Sequence, residues 1–334
     1  MENNTNENNV PFYEETNDTQ RRPYAKREFN AKNYLNTRLS DGEKKRDVKI
    51  RILPATPNTQ KIYVPIHIHS MKLDPQIAQS GFKSFVCLND KHLEEHDERG
   101  CPFCNKAKGL FAEANKCDQS ERLKKSALCK EAYKYEPKTC YIVRVIERGK
   151  ESEGVKFWRF NHWDNGKGCL DQLRNLYELR NKEALEANFV NQYTDIITGE
   201  WKEEAGYNIF NLTNGKDIIL TLSKGENTDK TEISIMESGM QTPLSNDPEQ
   251  AIAWVNDPKG WHDMYATKTY EYLDVVVNGG IPVFDKEKGV FVDKNKKDAI
   301  DKKVGEEIKQ ELKDAGQVRT LDTNISAPID DLPF

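Results

Sequence analysis

Apolar and polar positions alternate along residues 48–54 (VKIRILP) and again along 61–69 (KIYVPIHIH), the two-residue period of strands with a face turned to a core. Pro54 closes the first, and Pro65 marks the second as an edge or bulged strand. The same period returns at 139–149 (TCYIVRVIERG) and 154–163 (GVKFWRFNHW), which predicts a strand, a charged turn and a second strand. In the first of these Tyr141, Val143 and Val145 share one face and Ile142, Arg144 and Ile146 the other. In the second, Phe157 and Arg159 oppose Lys156, Trp158 and Phe160. Helical spacing occupies roughly 107–135, and 169–189 (CLDQLRNLYELRNKEALEANF) reads as an amphipathic helix. Shorter strand-like pieces follow: TDIITG, GYNIFNLTN, KDIILTLSK and TEISIME. Beyond 242 the pattern predicts a helix at PEQAIAWV capped by Asp247, then a helix followed by a helix or strand in WHDMYATKTYEYLDVVV. A charged helix is expected at 297–314.

These pieces are short and antiparallel in rhythm, with helices between them and no βαβ repeat, so the expected class is mainly β with α, that is, α+β. The chain divides by composition into five stretches. Residues 1–20 are an acidic tail and 21–46 a basic arm, 47–240 a core, 241–315 a mixed, partly helical region, and 316–334 a flexible acidic tail ending DDLPF.

At 334 residues the chain can bury one sizeable core or two small ones. A charged content of 31% against 36% hydrophobic suits a soluble protein with flexible ends, and no window has the apolar length of a membrane span. Seven cysteines without an export signal lead us to expect reduced thiols in a cytosolic compartment. Net charge is −5, but the sign is unevenly spread. Arg21, Arg22, Lys26 and Arg27 lead a basic run to Arg51, with Tyr24, Phe29 and Tyr34 interleaved, a composition suited either to contacting nucleic acid or to a solvated linker. The strand pair at 139–163 mixes rings and positive charge and is the best sequence candidate for a base-stacking platform, although Trp158 and Phe160 equally suit a core.

The densest chemistry lies between His67 and Cys104. Cys101 and Cys104 form a CxxC, Cys87 lies fourteen residues earlier, and His67 and His69 point to one face of a predicted strand. Three thiolates and one imidazole complete a tetrahedral zinc shell, and four protein ligands leave no open position, so one structural zinc is expected. Either histidine could serve; His92 and His96 compete less well among charged neighbours. A redox pair is the alternative for the CxxC, but the polar NDKHLEEHDERG before it is not the strand that usually precedes such a motif. Cys117, Cys129, Cys140 and Cys169 read as ordinary thiols. No GxGxxG, no phosphate-binding GxxxxGK[ST], no HExxH and no nucleophile elbow occurs, so catalysis is not expected.

The order IRILP, His69, GFKSFVC ending at Cys87, CPFC at 101–104 and then YIVRVIERGKESEGVKFWRF resembles the zinc-containing single-stranded DNA-binding, or helix-destabilising, protein of large tailed bacteriophages, over roughly residues 45–240. The resemblance implies an OB-fold core with an inserted zinc subdomain at about 67–135. It implies zinc on His69, Cys87, Cys101 and Cys104, with His67 as the substitute for His69. It also implies binding of single-stranded DNA, self-association along it, and work with phage replication and recombination proteins in the infected cell's cytoplasm. Trp158 beside Arg159 is the clearest counterpart of the family's DNA contacts; Tyr133, Tyr135 and Tyr141 are looser ones, and Lys156, Arg144 and Phe160 share the platform. The loop 70–86 is longer than the family's, and the family's short basic motif near the N-terminus is replaced here by the inward cluster Arg21 to Arg27. The tip Asp330, Asp331, Leu332, Pro333 and Phe334 resembles the acidic, phenylalanine-ended tip of bacterial single-stranded DNA-binding proteins, which implies a docking peptide for partners.

Overall fold

The computed structural model describes residues 31–56, 59, 61–73, 75, 81–91, 93, 97–162, 166–225, 231–261, 264, 267–299, 302, 303, 306 and 307. The expectations for 1–20, for Arg21, Arg22, Lys26 and Arg27, for His92 and His96, and for the tip 330–334 lie outside these residues. In chain order the first strands are β1 (Lys45–Ile52), β2 (Tyr63–Lys72), β3 (Phe82–Val86), β4 (Lys138–Glu147), β5 (Lys156–Asn161), β6 (Val190–Thr194) and β7 (Trp201–Ala205). They are followed by β8 (Lys216–Lys224), β9 (Thr231–Gln241), β10 (Pro282–Asp285) and β11 (Val290–Asp293). The helices are α1 (Pro102–Lys116), α2 (Arg122–Tyr135), α3 (Cys169–Glu186), α4 (Pro248–Val255) and α5 (Tyr270–Val277).

Seven strands form one antiparallel sheet in the order β3-β2-β4-β1-β8-β9, with β5 on the remaining edge of β4. β4 is the axis. Its residues 138–143 pair with β2 and its residues 145–147 pair with β1 along the same edge, while β5 runs down the other. A strand in that position is covered on both sides, and Ile142 to Glu147 are all buried. Val143 and Val145 face the largest apolar cluster, closed by Leu170, Leu173 and Tyr177 of α3. Ile142 faces a second cluster with Ile66, Ile68 and Phe157, and Ile146 a third with Ala251, Trp254 and Val255 of α4. Pro65 pairs with Tyr141 of β4, whereas β3 pairs only with residues 68–72, so the proline sits where β2 lacks a β3 neighbour.

The described protein is thus a mixed α/β fold with mostly antiparallel strands, in line with the expected class. The single helical stretch at 107–135 is two helices. Asp118 breaks it by accepting hydrogen bonds from the backbone N–H of Ser120 and Glu121 and from the Ser120 hydroxyl. The core begins earlier than residue 47, because Leu35 is buried in the main cluster and its N–H donates to Phe157 O at 2.9 Å beside β5. GYNIFNLTN is not a strand: Asn208 and Asn211 turn the chain by accepting from Phe210 N and Thr213 N through their side chains. Asp247 caps α4 as expected, accepting from Glu249 N. Helical backbone at 294–299 and at 302, 303, 306 and 307 covers the described residues of the charged helix expected at 297–314. No helix among the described residues is long and apolar enough to cross a membrane.

Candidate metal centre

Three separate segments supply one cluster. His69 comes from the middle of β2, Cys87 from the residue after β3, and Cys101 and Cys104 from the start of α1. β2 and β3 are neighbours with His69 opposite Phe85, which brings the turn after β3 alongside the histidine. Gly100, at φ +74, makes the left-handed bend that carries the chain into Cys101; a Cβ there would strain the backbone and stand 3.3 Å from Asn89 Oδ1. Pro102 then occupies the first helical position, where its missing N–H costs nothing.

The ligand atoms of His69, Cys87, Cys101 and Cys104 all lie within 4.8 Å of one another, and all four residues are buried. His69 Nε2 is 3.3 Å from Cys101 Sγ and 3.8 Å from Cys104 Sγ, and Cys87 Sγ is 3.5 Å from Cys104 Sγ. On its far side His69 Nδ1 is 2.8 Å from the carbonyl of Tyr135, the last residue of α2. That carbonyl can only accept, so Nδ1 carries the proton and Nε2 is left with its lone pair toward the sulfurs. The imidazole stacks on Phe103 at 4.9 Å, and Phe103 on Phe85 at 5.7 Å. Crowding divides the thiols: hydrogen bonds from Cys104 and Cys87 hold Cys101 far below the ordinary thiol range, while Cys101 pushes Cys87 far up and Cys104 to about 11. The group could hold a metal ion.

His67 is directed elsewhere. Its backbone N–H donates to Asp90 Oδ2 and its Nδ1 stands 2.9 Å from the same oxygen, a carboxylate that is otherwise buried. The redox reading of the CxxC is not what the surroundings favour, since a third thiol and an imidazole stand within reach of the pair. Sequence reasoning allowed a helix or strand over 270–277 but did not place it here, as α5. Tyr272, Leu273, Val276 and Val277 pack against Phe85, Cys87, Cys101, Phe103 and Cys104, and Arg99 ties the knuckle to the same helix through Glu271 at 2.7 Å and the Tyr270 ring at 3.9 Å.

The platform at 139–163 needs correction. Trp158 is 0% exposed and Phe160 is buried beside it, both in the main cluster, so neither ring offers a face to a base. Arg144 is also buried: its guanidinium donates to the carbonyls of Trp254, Val255 and Asp257 and closes the C-terminal end of α4. Lys156 is buried between Glu147 and Glu153. The reason is the same in each case: β5 lies under α3 and Leu35, and β4 under α4, so the mixed rings and charges are packing and capping groups. Arg159 remains half-buried, with Nη2 3.3 Å from Asn161 Oδ1, and half-buried Tyr141 hydrogen-bonds His162 Nδ1 at 2.9 Å. Tyr133 is 60% exposed on α2, edge-on to Phe111 of α1 at 5.2 Å, and Tyr135 is half-buried at the metal centre. No family model matches this chain, and no curated protein matches it either.

Proposed function

We propose that this chain is a zinc-containing, non-catalytic single-stranded DNA-binding protein of the phage helix-destabilising kind, with an OB-type core and the metal centre as its inserted subdomain. The observation that carries this reading is the meeting of His69, Cys87, Cys101 and Cys104, the four positions that the resemblance assigns to zinc. The spacing suits that metal: Zn–S near 2.3 Å and Zn–N near 2.0 Å at tetrahedral angles put sulfurs about 3.8 Å apart and sulfur about 3.5 Å from nitrogen. The Cys87–Cys104 sulfurs are 3.5 Å apart and His69 Nε2 is 3.3 and 3.8 Å from the Cys101 and Cys104 sulfurs, close to these values, with all four ligand atoms within 4.8 Å of one another. Zinc would be held by these four side chains alone and would act by fixing them, with Tyr135 O orienting the imidazole.

The surface that supports strand binding is the helical hairpin rooted at the metal. Across 102–135 the exposed Lys106, Lys108, Lys116, Arg122, Lys124, Lys125, Lys130 and Lys134 outnumber Glu113, Asp118, Glu121 and Glu131. Exposed Tyr133 stands among them, which pairs phosphate neutralisation with a ring for stacking. The basic cluster Arg21 to Arg27 adds positive charge to the chain for the same ligand, and Asp330 to Phe334 dock replication and recombination partners, in the cytoplasm of an infected cell. Fluorescence anisotropy with labelled oligo(dT), oligo(rU) and duplex DNA at several salt concentrations tests the reading. Oligo(dT) should bind much more tightly than duplex, with log affinity falling linearly with log salt. Equal affinity for duplex overturns the helix-destabilising role, and a strong preference for oligo(rU) makes the protein an RNA binder.

A further inference from the structure

Next to the metal centre, two lysines converge on one tyrosine. Lys83 of β3 donates to Tyr272 Oη at 3.3 Å, with its Nζ 5.7 Å from the ring centroid, and Lys268 Nζ lies 5.3 Å from the same centroid. Both lysines are half-buried. Among the described residues no carboxylate lies within ion-pairing distance of either ammonium. The nearest acid along the helix, Glu271, is taken by Arg99 at 2.7 Å.

This arrangement is electrostatically unfavourable in three ways at once. Two like charges share one ring, both have given up part of their hydration, and Lys268 precedes Thr269, the N-cap of α5, where the helix end is already positive. Burial and the nearby Lys83 both lower the Lys268 ammonium's pKa. Cation–π attraction from Tyr272 and from Phe85, which has Lys83 Nζ 5.6 Å from its centroid, offsets only part of that cost. An anion seated between the two ammonium groups removes the conflict.

We propose that Lys83 and Lys268, flanking Tyr272, form a subsite for one phosphodiester of a bound single strand. The subsite rests on the function proposed above. It lies where β3 and α5 meet beside the metal centre, and α5 itself packs against α1 of the hairpin. Two cations on one phosphate neutralise a single charge, which gives the proposal a numerical signature.

The test is the salt dependence of oligo(dT) binding for the full chain and for Lys83→Gln, Lys268→Gln and the double variant. Single-strand binding loses about 0.7 of slope per phosphate contact removed. Each single variant should therefore weaken binding, and the double variant should flatten the slope by about 0.7, the loss of one phosphate contact and not of two. Melting temperature should stay level or rise, since removing one like charge relieves the other; a fall in melting temperature with unchanged slope shows that the lysines are structural and overturns the subsite. Unchanged slopes in variants of a chain that binds oligo(dT) overturn the subsite while leaving the proposed function standing. A chain that binds no oligo(dT) overturns both.

Discussion

Two histidines two residues apart on β2 have different partners, and that difference can be measured. His69 points its Nε2 at Cys101 and Cys104, whereas His67 closes on Asp90. His69→Ala, like Cys101→Ser, should lose the zinc and destabilise the protein by more than about 4 kcal/mol, the scale at which a metal or a buried network is lost. His67→Ala should keep one zinc per chain and cost only about 1–3 kcal/mol, the penalty for leaving part of a buried carboxylate unpaired. Metal analysis beside a denaturant melt distinguishes the two, and a His67→Ala protein without zinc would reverse the assignment. Trp158 offers a second contrast. Trp158→Ala should cost about 3–5 kcal/mol as a core cavity. Trp158→Phe should cost less than Trp158→Ala, because a ring still fills most of the site and, among the described residues, the indole N–H has no hydrogen-bond partner to lose. Neither should change oligo(dT) affinity per folded molecule.

At the scale of elements, the strands were legible wherever one face is apolar and the other polar. β1, β2, β4, β5, β8 and β9 all fall on stretches whose alternation predicts them. β4 and β5 nonetheless mislead about exposure. Period two tells which residues share a face, not whether a helix covers that face, and α3 and α4 cover both. The loop at 207–214 misleads for another reason: Ile209 and Phe210 are buried like strand residues, but the Asn208 and Asn211 side chains supply the turn bonds. The candidate cysteine ligands were legible because a CxxC with an upstream cysteine is local; the residues alone left the histidine open and the resemblance picked His69, because the choice depends on where Asp90 and Tyr135 fall. Nothing within 270–277 announces that α5 caps the centre. If zinc fixes the surface on which α5 rests, chelation should raise hydrogen exchange of the α5 amides while β8 and β9, across the sheet, stay protected. Equal protection of α5 with and without metal would show that Arg99 and the apolar contacts suffice. On the hairpin, Tyr133→Ala should cost about 1–3 kcal/mol of oligo(dT) binding if a base stacks on that ring, with the melting temperature unchanged.

The whole molecule joins a sheet core, a candidate metal centre and a net-basic hairpin in a chain whose total charge is −5. The negative excess must therefore lie elsewhere, and the acidic ends are candidates that composition makes plain. Truncation after Ala327 should leave the melting temperature within about 0.5 kcal/mol of the full chain in stability terms, and should remove binding of replication or recombination partners. If zinc shapes the surface that takes single strands, labelled oligo(dT) titrated with the purified protein, with chelator-stripped protein, and with stripped protein given back one equivalent of zinc will show it. Binding should be tight, lost on stripping and recovered with zinc. Binding that survives complete removal of the metal, or a zinc-loaded protein that ignores oligo(dT), would contradict it.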